Sequence, residues 1–338
     1  MQNQSIKTSL KGWQTIVQKY QTPNTKKAVI QIINSYLPFI GLWTLMYFSL
    51  NWSYLLTLGL AAISAFFLVR IFIIQHDCGH QSFLKSRKVN NVVGLISSFF
   101  SSIPYRYWSR THSAHHAHNA QLEHRGLGDI HYLTTEEYDA LSKGKKLGYR
   151  IFRNPVVQFL IIPVFYLTVT LRYPFVRLAG WKKIRWSYFL NNFLLLAVYG
   201  GLAWILGWQK FLMVHVPILF IFGIIAFWFF YVQHQHEENY RENKAHWDPV
   251  LAAIQGSTYY KLPKLFQWLT GNIGYHHIHH LNSRIPNYHL EACAIENPQL
   301  NQFVPTLSFR DSLSCMNNKL WDRQKQRMIS FREYQQAQ

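Results

Sequence analysis

The chain has 338 residues, with 34 Lys or Arg against 15 Asp or Glu, for a formal net charge of +19. Charged residues make up 14%, while 49% are hydrophobic and 17% aromatic, which excludes a disordered chain. Cys78, Cys293 and Cys315 cannot form a secreted disulfide framework, and without a CxxC pair they exclude a thiolate zinc site or an iron–sulfur cluster. What sets the composition apart is 17 histidines.

The N-terminal segment, 1–27, carries Leu10, Trp13, Val17 and Tyr20 at helical spacing among Lys7, Lys11 and Lys19. This reads as a basic amphipathic helix lying on a membrane surface, or as an ordinary surface helix. No apolar core with a cleavage site follows the first charges, so no signal peptide is expected. From Ala28 to Val69 there are 42 residues without a Lys, Arg, Asp or Glu. A spanning helix needs about 20 apolar residues, so this run holds two. They are predicted over 30–50 and 53–74, joined by a turn at Asn51-Trp52-Ser53, as a first hairpin (30–74). Arg70 falls near the end of the second, where a long side chain reaches the interface. A second hairpin (187–232) is predicted from apolar runs at 187–208 and 211–232, split by Gln209 and Lys210. A mean hydropathy of −0.06 then requires a polar half outside the bilayer.

Two apolar stretches are shorter. Asn91 to Pro104 has 14 residues, which suits an interfacial or re-entrant piece. Asn154 to Leu171 carries Pro155 and Pro163 and is basic on both flanks, with Arg150 and Arg153 before it and Arg172, Arg177 and Lys182 after. A segment basic at both ends lies in one face of the bilayer. The loop 75–153 carries 11 Lys or Arg and is therefore placed in the cytoplasm, within a cytosolic and interfacial region, 75–186. The last region, 233–338, reads as a polar cytosolic tail in which Leu313, Met316 and Leu320 suggest one amphipathic helix. The fold class is an all-α integral membrane protein, one domain over 1–338. It has four transmembrane helices in two hairpins, a cytoplasmic histidine-rich helical cap, membrane-embedded short segments, and both termini cytoplasmic.

Eight histidines fall into three patterns, each near a predicted membrane boundary. His76 and His80 stand in HDCGH, His112, His115 and His116 in HSAHH, and His276, His279 and His280 in HHIHH, where His277 is an extra. On a helix, positions i, i+3 and i+4 lie within an arc of about 100°, so each triplet presents three imidazoles to one cavity. Adjacent members such as His115 and His116 diverge enough to serve two different metals. Eight imidazoles are too many for one zinc and supply two metals with about four each. Soluble di-iron bundles use Glu-x-x-His instead, and none occurs here. Imidazole suits zinc, copper, iron and nickel, so ligand type does not name the metal. A ninth ligand is available just past the fourth span, in YVQHQHEENY, from His234 or His236; His234 is nearer the span and is preferred. Cys78 points about 160° from His76 on a helix and reads as packing. All three motifs must share one membrane face to form one cluster, and of the topologies considered only the four-span reading achieves that.

HDCGH, HSAHH and HHIHH, with YVQHQHE, GSTYYKLPKLFQWLTGNIGYHHIHHLNSRIPNY and GLGDIHYLTTEEY, resemble the membrane fatty acid desaturase superfamily over residues 25–325. They look most like bacterial acyl-lipid (phospholipid) desaturases of the Δ5 and Δ12 types. The resemblance implies a di-iron centre of two Fe ions, O2 as co-substrate, and a ferredoxin or flavodoxin-type electron donor. It further implies acyl chains of membrane phospholipids as substrate and residence in the bacterial cell (inner) membrane. His76, His80, His112, His115, His116, His276, His279 and His280 take the family's ligand roles, and His234 matches the His after the last span. Relatives often carry Phe where His236 stands. The animal acyl-CoA branch has an Asn four residues before the ninth His, but here that residue is Phe230, so an Asn ligand does not carry over. From adjacency, Asp77 and Glu237 are candidates to orient imidazoles through their second ring nitrogen.

Walls for an acyl chain are expected from Phe99, Phe100, Tyr105, Tyr107 and Trp108 and from 154–176, residues equally suited to interfacial anchoring. Nucleic acid is excluded as a partner because the cations flank the spans and no nucleic-acid motif appears. Two rival functions remain at this point. One is a hydroxylase of fatty acyl, alkane or carotenoid substrates. The other is a non-enzymatic metal transporter or a membrane cytochrome, which would place ligands inside the spans, where only His215 lies.

Overall fold

A computed structural model describes residues 2–125, 130–175 and 180–337. Gly126–Asp129 of the GLGDIHYLTTEEY motif, Val176 and Arg177 lie outside the described residues. Among those described, four helices are long and apolar enough to cross a membrane: Thr25–Ser49, Tyr54–Gly79, Trp181–Leu206 and Trp208–His234. Each starts earlier or runs on farther than its apolar core, because the polar residues beyond the core keep helical hydrogen bonding until a breaker intervenes. Tyr54–Gly79 begins at Ser53, whose side chain accepts from the Leu56 N–H, and ends at Gly79, so its last turn carries His76 clear of the apolar run. Between the third and fourth spans the break is Gly207 alone, at φ +83°, a backbone state that glycine adopts without penalty.

The hairpins pack with their tips together. Tyr47 Oη donates to the Leu206 carbonyl at 3.0 Å, and Ser49 Oγ and Thr57 Oγ1, both buried, share a hydrogen bond of 2.7 Å across the first turn. The second span is the most buried of the four, packed against the first, the fourth and the helix Arg87–Ser101. Trp204, Leu55 and Leu196 are among large apolar side chains left exposed on the outer faces, as a surface that meets lipid requires.

Lys143–Phe152 and Val157–Thr170 form a bent pair, at 60°, which by length and composition alone is a broken span or a re-entrant loop. His115 before it and His234 after it lie ring to ring, with 3.2 Å between their Nε2 atoms. An even number of crossings must separate two residues on one face. The third and fourth spans supply two, so Val157–Thr170 returns to the face it left, as its basic flanks predict.

Beyond the spans the chain folds into a cap held by short helices and two small sheets, with order Leu133–Thr134, Leu320–Asp322, Arg327–Ile329 in one and Tyr259–Tyr260, Thr306–Leu307 in the other. The N-terminal helices and the C-terminal strands both belong to this cap, on the side of the histidines.

Three sequence expectations are corrected here. The apolar stripe of the N-terminal segment does not lie on lipid: Ile6, Leu10, Val17 and Tyr20 are buried against Leu251, Ile254, Ile278 and Leu281. Two of the three lysines set among that stripe are paired with cap carboxylates, Lys7 with Asp248 at 2.6 Å and Lys19 with Glu296 at 2.7 Å. Arg70 does not extend into solvent; it is buried, stacked 4.0 Å over the Trp268 ring and donating to the Trp268 carbonyl. Leu313, Met316 and Leu320 share no helix. The helix Phe309–Ser312 tightens to a 3-10 turn over Leu313–Asn317, and Leu320 starts a strand, because Leu320 and Trp321 are both buried in the cap between pairing partners.

Candidate metal centre

Four elements bring the histidines together. His76 sits on the last turn of the second span and His80 follows it. His112, His115 and His116 lie on the helix Tyr105–His118, His234 ends the fourth span, and His276, His279 and His280 lie on the short helix His276–Leu281. Gly79 allows the first two to approach: a Cβ there would sit 2.6 Å from Ser109 Oγ and 3.1 Å from Ser109 Cβ on the second-motif helix.

The nine rings sort into two groups, His76, His80, His112, His116 and His279 in one, and His115, His234, His276 and His280 in the other. Within each group the candidate ligand nitrogens lie within 4.8 Å of one another. Neighbours His115 and His116 fall in different groups, as their helical divergence predicts, and HHIHH divides in the same way. Nε2–Nε2 separations are 3.0 Å for His279–His116, 3.1 Å for His116–His112, 2.9 Å for His234–His276 and 3.1 Å for His276–His280. Metal–imidazole bonds of about 2.0–2.1 Å put adjacent ligand nitrogens of one ion about 3 Å apart, so these spacings fit a shared ion.

The electrostatics fit as well. Burial, reinforced by neighbouring imidazoles, holds His80, His112, His116, His276, His279 and His280 well below the usual histidine range. They are neutral at pH 7, the form that binds metal. His80 Nε2 is buried with no hydrogen-bond partner, a lone pair or proton without an outlet unless an ion takes it. The residues present therefore suit a pair of transition-metal ions.

Two rings have their outer nitrogen fixed. His76 Nδ1 donates to Asp77 Oδ1 at 2.8 Å, and Asp77 Oδ2 accepts from the Asn287 backbone N–H at 2.6 Å and side-chain amide at 2.8 Å. His234 Nδ1 donates to the Gly256 carbonyl at 3.2 Å. Each bond leaves Nε2 as the free lone pair facing the group. Asp77 is thus where adjacency placed it, but Glu237 is not. Its carboxylate is exposed and pairs with Arg327 at 2.8 Å, because the chain leaves helical geometry after His234 and turns that side chain outward. His236 turns away as well, its Nε2 donating to the Gln255 carbonyl at 2.9 Å, and His277 faces Asn301 Oδ1 at 3.0 Å. Cys78 is buried in a separate apolar cluster. Sequence reasoning missed Asn287 and the Gly256 carbonyl. The first lies 210 residues from its partner and the second is backbone, so neither leaves a local signal.

A cavity of about 420 Å³ runs from His76, His112 and His276 between the second span, the fourth span and Val157–Thr170. Its walls are mainly apolar and include Phe72, Tyr107, Trp108, Tyr166, Leu167, Phe222 and Phe230. Tyr107, Trp108 and part of 154–176 thus form wall, as expected. Phe99, Phe100 and Tyr105 do not: Phe100 packs on Tyr36 and Phe39, and Tyr105 Oη donates to the Cys78 carbonyl. Trp108 joins wall to centre, stacked on His112 with ring centroids 4.5 Å apart and packed on Phe72 at 4.9 Å.

Comparison with known proteins agrees with this architecture. The family model described as fatty acid desaturase matches residues 50–309. A fatty acid desaturase of Bacillus subtilis (strain 168) is 45% identical across 98% of this chain and 94% of its own length. More distant are an sn-1 oleoyl-lipid 12-desaturase of Anabaena variabilis, 25% identical over 66% of this chain and 63% of that protein, and a Delta(12) fatty acid desaturase of Calendula officinalis, 27% identical over 72% and 66%. An oxidoreductase with an apolar cavity ending at clustered histidines is what the residues describe, and the chain belongs to the fatty acid desaturase family.

Proposed function

We propose that this chain is a di-iron, O2-dependent desaturase that introduces a cis double bond into acyl chains of membrane phospholipids. The observation that carries this reading is the cavity: apolar, bordered by two spans, and ending on histidines of both groups. His76, His80, His112, His116 and His279 hold one iron, and His115, His234, His276 and His280 the other. The overall reaction is R–CH2–CH2–R′ + O2 + 2e⁻ + 2H⁺ → R–CH=CH–R′ + 2H2O. Two of the four electrons that reduce dioxygen come from the chain and two from a ferredoxin or flavodoxin-type donor. Bound there, an iron pair would supply the oxidising power for a reaction at an unactivated methylene.

The protein supplies position. Phe72 packs edge-on to both Trp108 and Phe222, and Trp108 also stacks on His112, so the wall is in direct contact with the ligand set. A methylene lying against that wall is held at a fixed distance from the rings, which sets which carbons react. The apolar lining excludes water from the slot around the methylenes. The polar groups Thr111, His131 and Gln158 also line the cavity. Gln158 Oε1 is buried without a partner and offers an acceptor to a water in the cavity. The sequence motifs suit bond insertion of the Δ5 or Δ12 type, and the names of the distant relatives favour the Δ12 type. Residence in a bacterial inner membrane with the cap in the cytoplasm is supported by the Lys and Arg of 75–153, and the net charge of +19 suits anionic headgroups and an acidic donor.

Expression in a host lacking polyunsaturated lipids, followed by mass spectrometry of intact phospholipids, tests the reading. Products lighter by two hydrogens and bearing one new cis double bond are expected. Products gaining one oxygen with no new double bond would make the enzyme a hydroxylase.

A further inference from the structure

The large cavity is not the one opening that reaches the histidines. On the cap, a cleft of about 70 Å³ is lined by Trp13, Trp247, Pro249 and Val250 and ends on His116 and His280. These two rings stack with centroids 4.2 Å apart and come one from each group. Both are half-buried, as are His80 and His112, whereas the other five rings are buried. The two openings share no histidine, since the large cavity meets His76, His112 and His276. They also differ in their walls: the large cavity is built from spans, while the cleft takes only cap residues and Trp13 of the N-terminal segment.

We propose that this cleft is a second doorway to the metal pair, passing dioxygen, water and small anions while an acyl chain fills the main cavity. The inference rests on the reading that the two histidine groups hold metals. Its size decides what it can carry. A water needs about 10–15 Å³ of such space, so the cleft has room for a few small molecules, against about 420 Å³ in the cavity offered to an acyl chain. Its walls are held open by satisfied polar groups: Asn119 Nδ2 donates to the Ala252 carbonyl at 2.9 Å, and Trp247 Nε1 to the Asn119 carbonyl at 2.8 Å. The need is stoichiometric. Each turnover consumes one dioxygen and releases two waters, and a substrate seated in the large cavity obstructs that route for both. A doorway through the cap also puts released water into solvent, away from the apolar slot. Trp13 gives the N-terminal segment its part in the site, since packing this segment on the cap sets the width of the mouth.

The probe is azide, a small anion, binding to iron-loaded full-length protein with acyl lipid present, followed by stopped-flow absorbance. Iron content is measured on the same samples. In Val250→Trp, which fills the mouth, azide association should slow by about tenfold; in Trp13→Ala, which widens it, association should quicken several-fold. Because a doorway acts equally on both directions, the dissociation rate should change in step and the equilibrium affinity should hold. Unchanged rates in both variants at normal iron content would overturn the doorway and leave the metal reading standing. Azide binding that vanishes when lipid fills the main cavity would also overturn it. Wild-type protein with neither iron nor an azide signal would overturn the metal reading, and the doorway with it.

Discussion

Replacing His279 with alanine is expected to abolish desaturation and to empty the five-histidine group, while replacing its neighbour His277 leaves both intact. His279 is fully buried, its Nε2 lies 3.0 Å from His116 Nε2, and its ring centroid is 4.4 Å from that of His76 and 4.9 Å from that of His80. It is the member of HHIHH that joins the group of His76 and His80, so its loss leaves that group with no ligand from the third motif. Removing a residue that merely orients a ligand costs about 10–100-fold in metal affinity or activity, and deleting a ligand from the set should exceed that range. His277 is equally buried and equally a histidine, but its Nε2 bonds Asn301 and it faces no other ring of either group. His277→Ala should cost about 1 kcal/mol of stability for the lost hydrogen bond to half-buried Asn301, with iron content unchanged. Metal analysis and product lipids of the two variants, side by side, check the contrast. Equal iron in both would remove His279 from the centre.

Replacing Asp77 is expected to have the second largest effect, although it touches no metal. Its carboxylate is 1% exposed and accepts three hydrogen bonds, one from His76 and two from Asn287. It thereby fixes the His76 ring with Nε2 facing the group and ties the second span to the helix Asn287–Glu296, which follows the third motif. Asp77→Ala leaves all three donors buried without an acceptor, at about 1–3 kcal/mol each, and frees His76 to turn or change tautomer. Iron affinity should fall about 10–100-fold, the range for a lost orienting partner. Asp77→Asn keeps the shape, but its amide NH2 must face a donor on one side, so its loss should be intermediate. Glu237→Gln is the control: an exposed pair with Arg327, worth less than about 1 kcal/mol, with no effect on iron. Iron-binding titrations of the three variants separate these outcomes, and an Asp77→Ala protein with wild-type affinity would rule out the orienting role.

Much of the molecule was legible because two patterns are strong in any sequence. Runs such as Ala28–Val69 have no structured alternative to helices in lipid, and HSAHH or HHIHH on a helix must point its rings in two directions. The division of His115 from His116, and the even number of crossings between His115 and His234, follow from those two facts alone. What was not legible concerns partners. The stripe Leu10, Trp13, Val17 and Tyr20 says that one face is buried but not against what, and the cap competes with lipid for it. Adjacency to a histidine placed Asp77 correctly and Glu237 wrongly, because the first lies within a helix that fixes its direction and the second lies past a helix end. Phe100 and Tyr105 carry the composition of a cavity wall, yet packing on Tyr36 and the Cys78 carbonyl claims them. Leu313, Met316 and Leu320 fit a helical period by count, but the strand pairing of Leu320 with Leu133 and Ile329 is a long-range term that no local window contains.

The arrangement of nine imidazoles in two groups has one direct test. Protein purified in mild detergent from cells grown with ample iron and zinc, and analysed by elemental mass spectrometry, should carry two irons per chain and no stoichiometric zinc. A folded chain holding no stoichiometric iron, or a single metal shared by all nine rings, would contradict it.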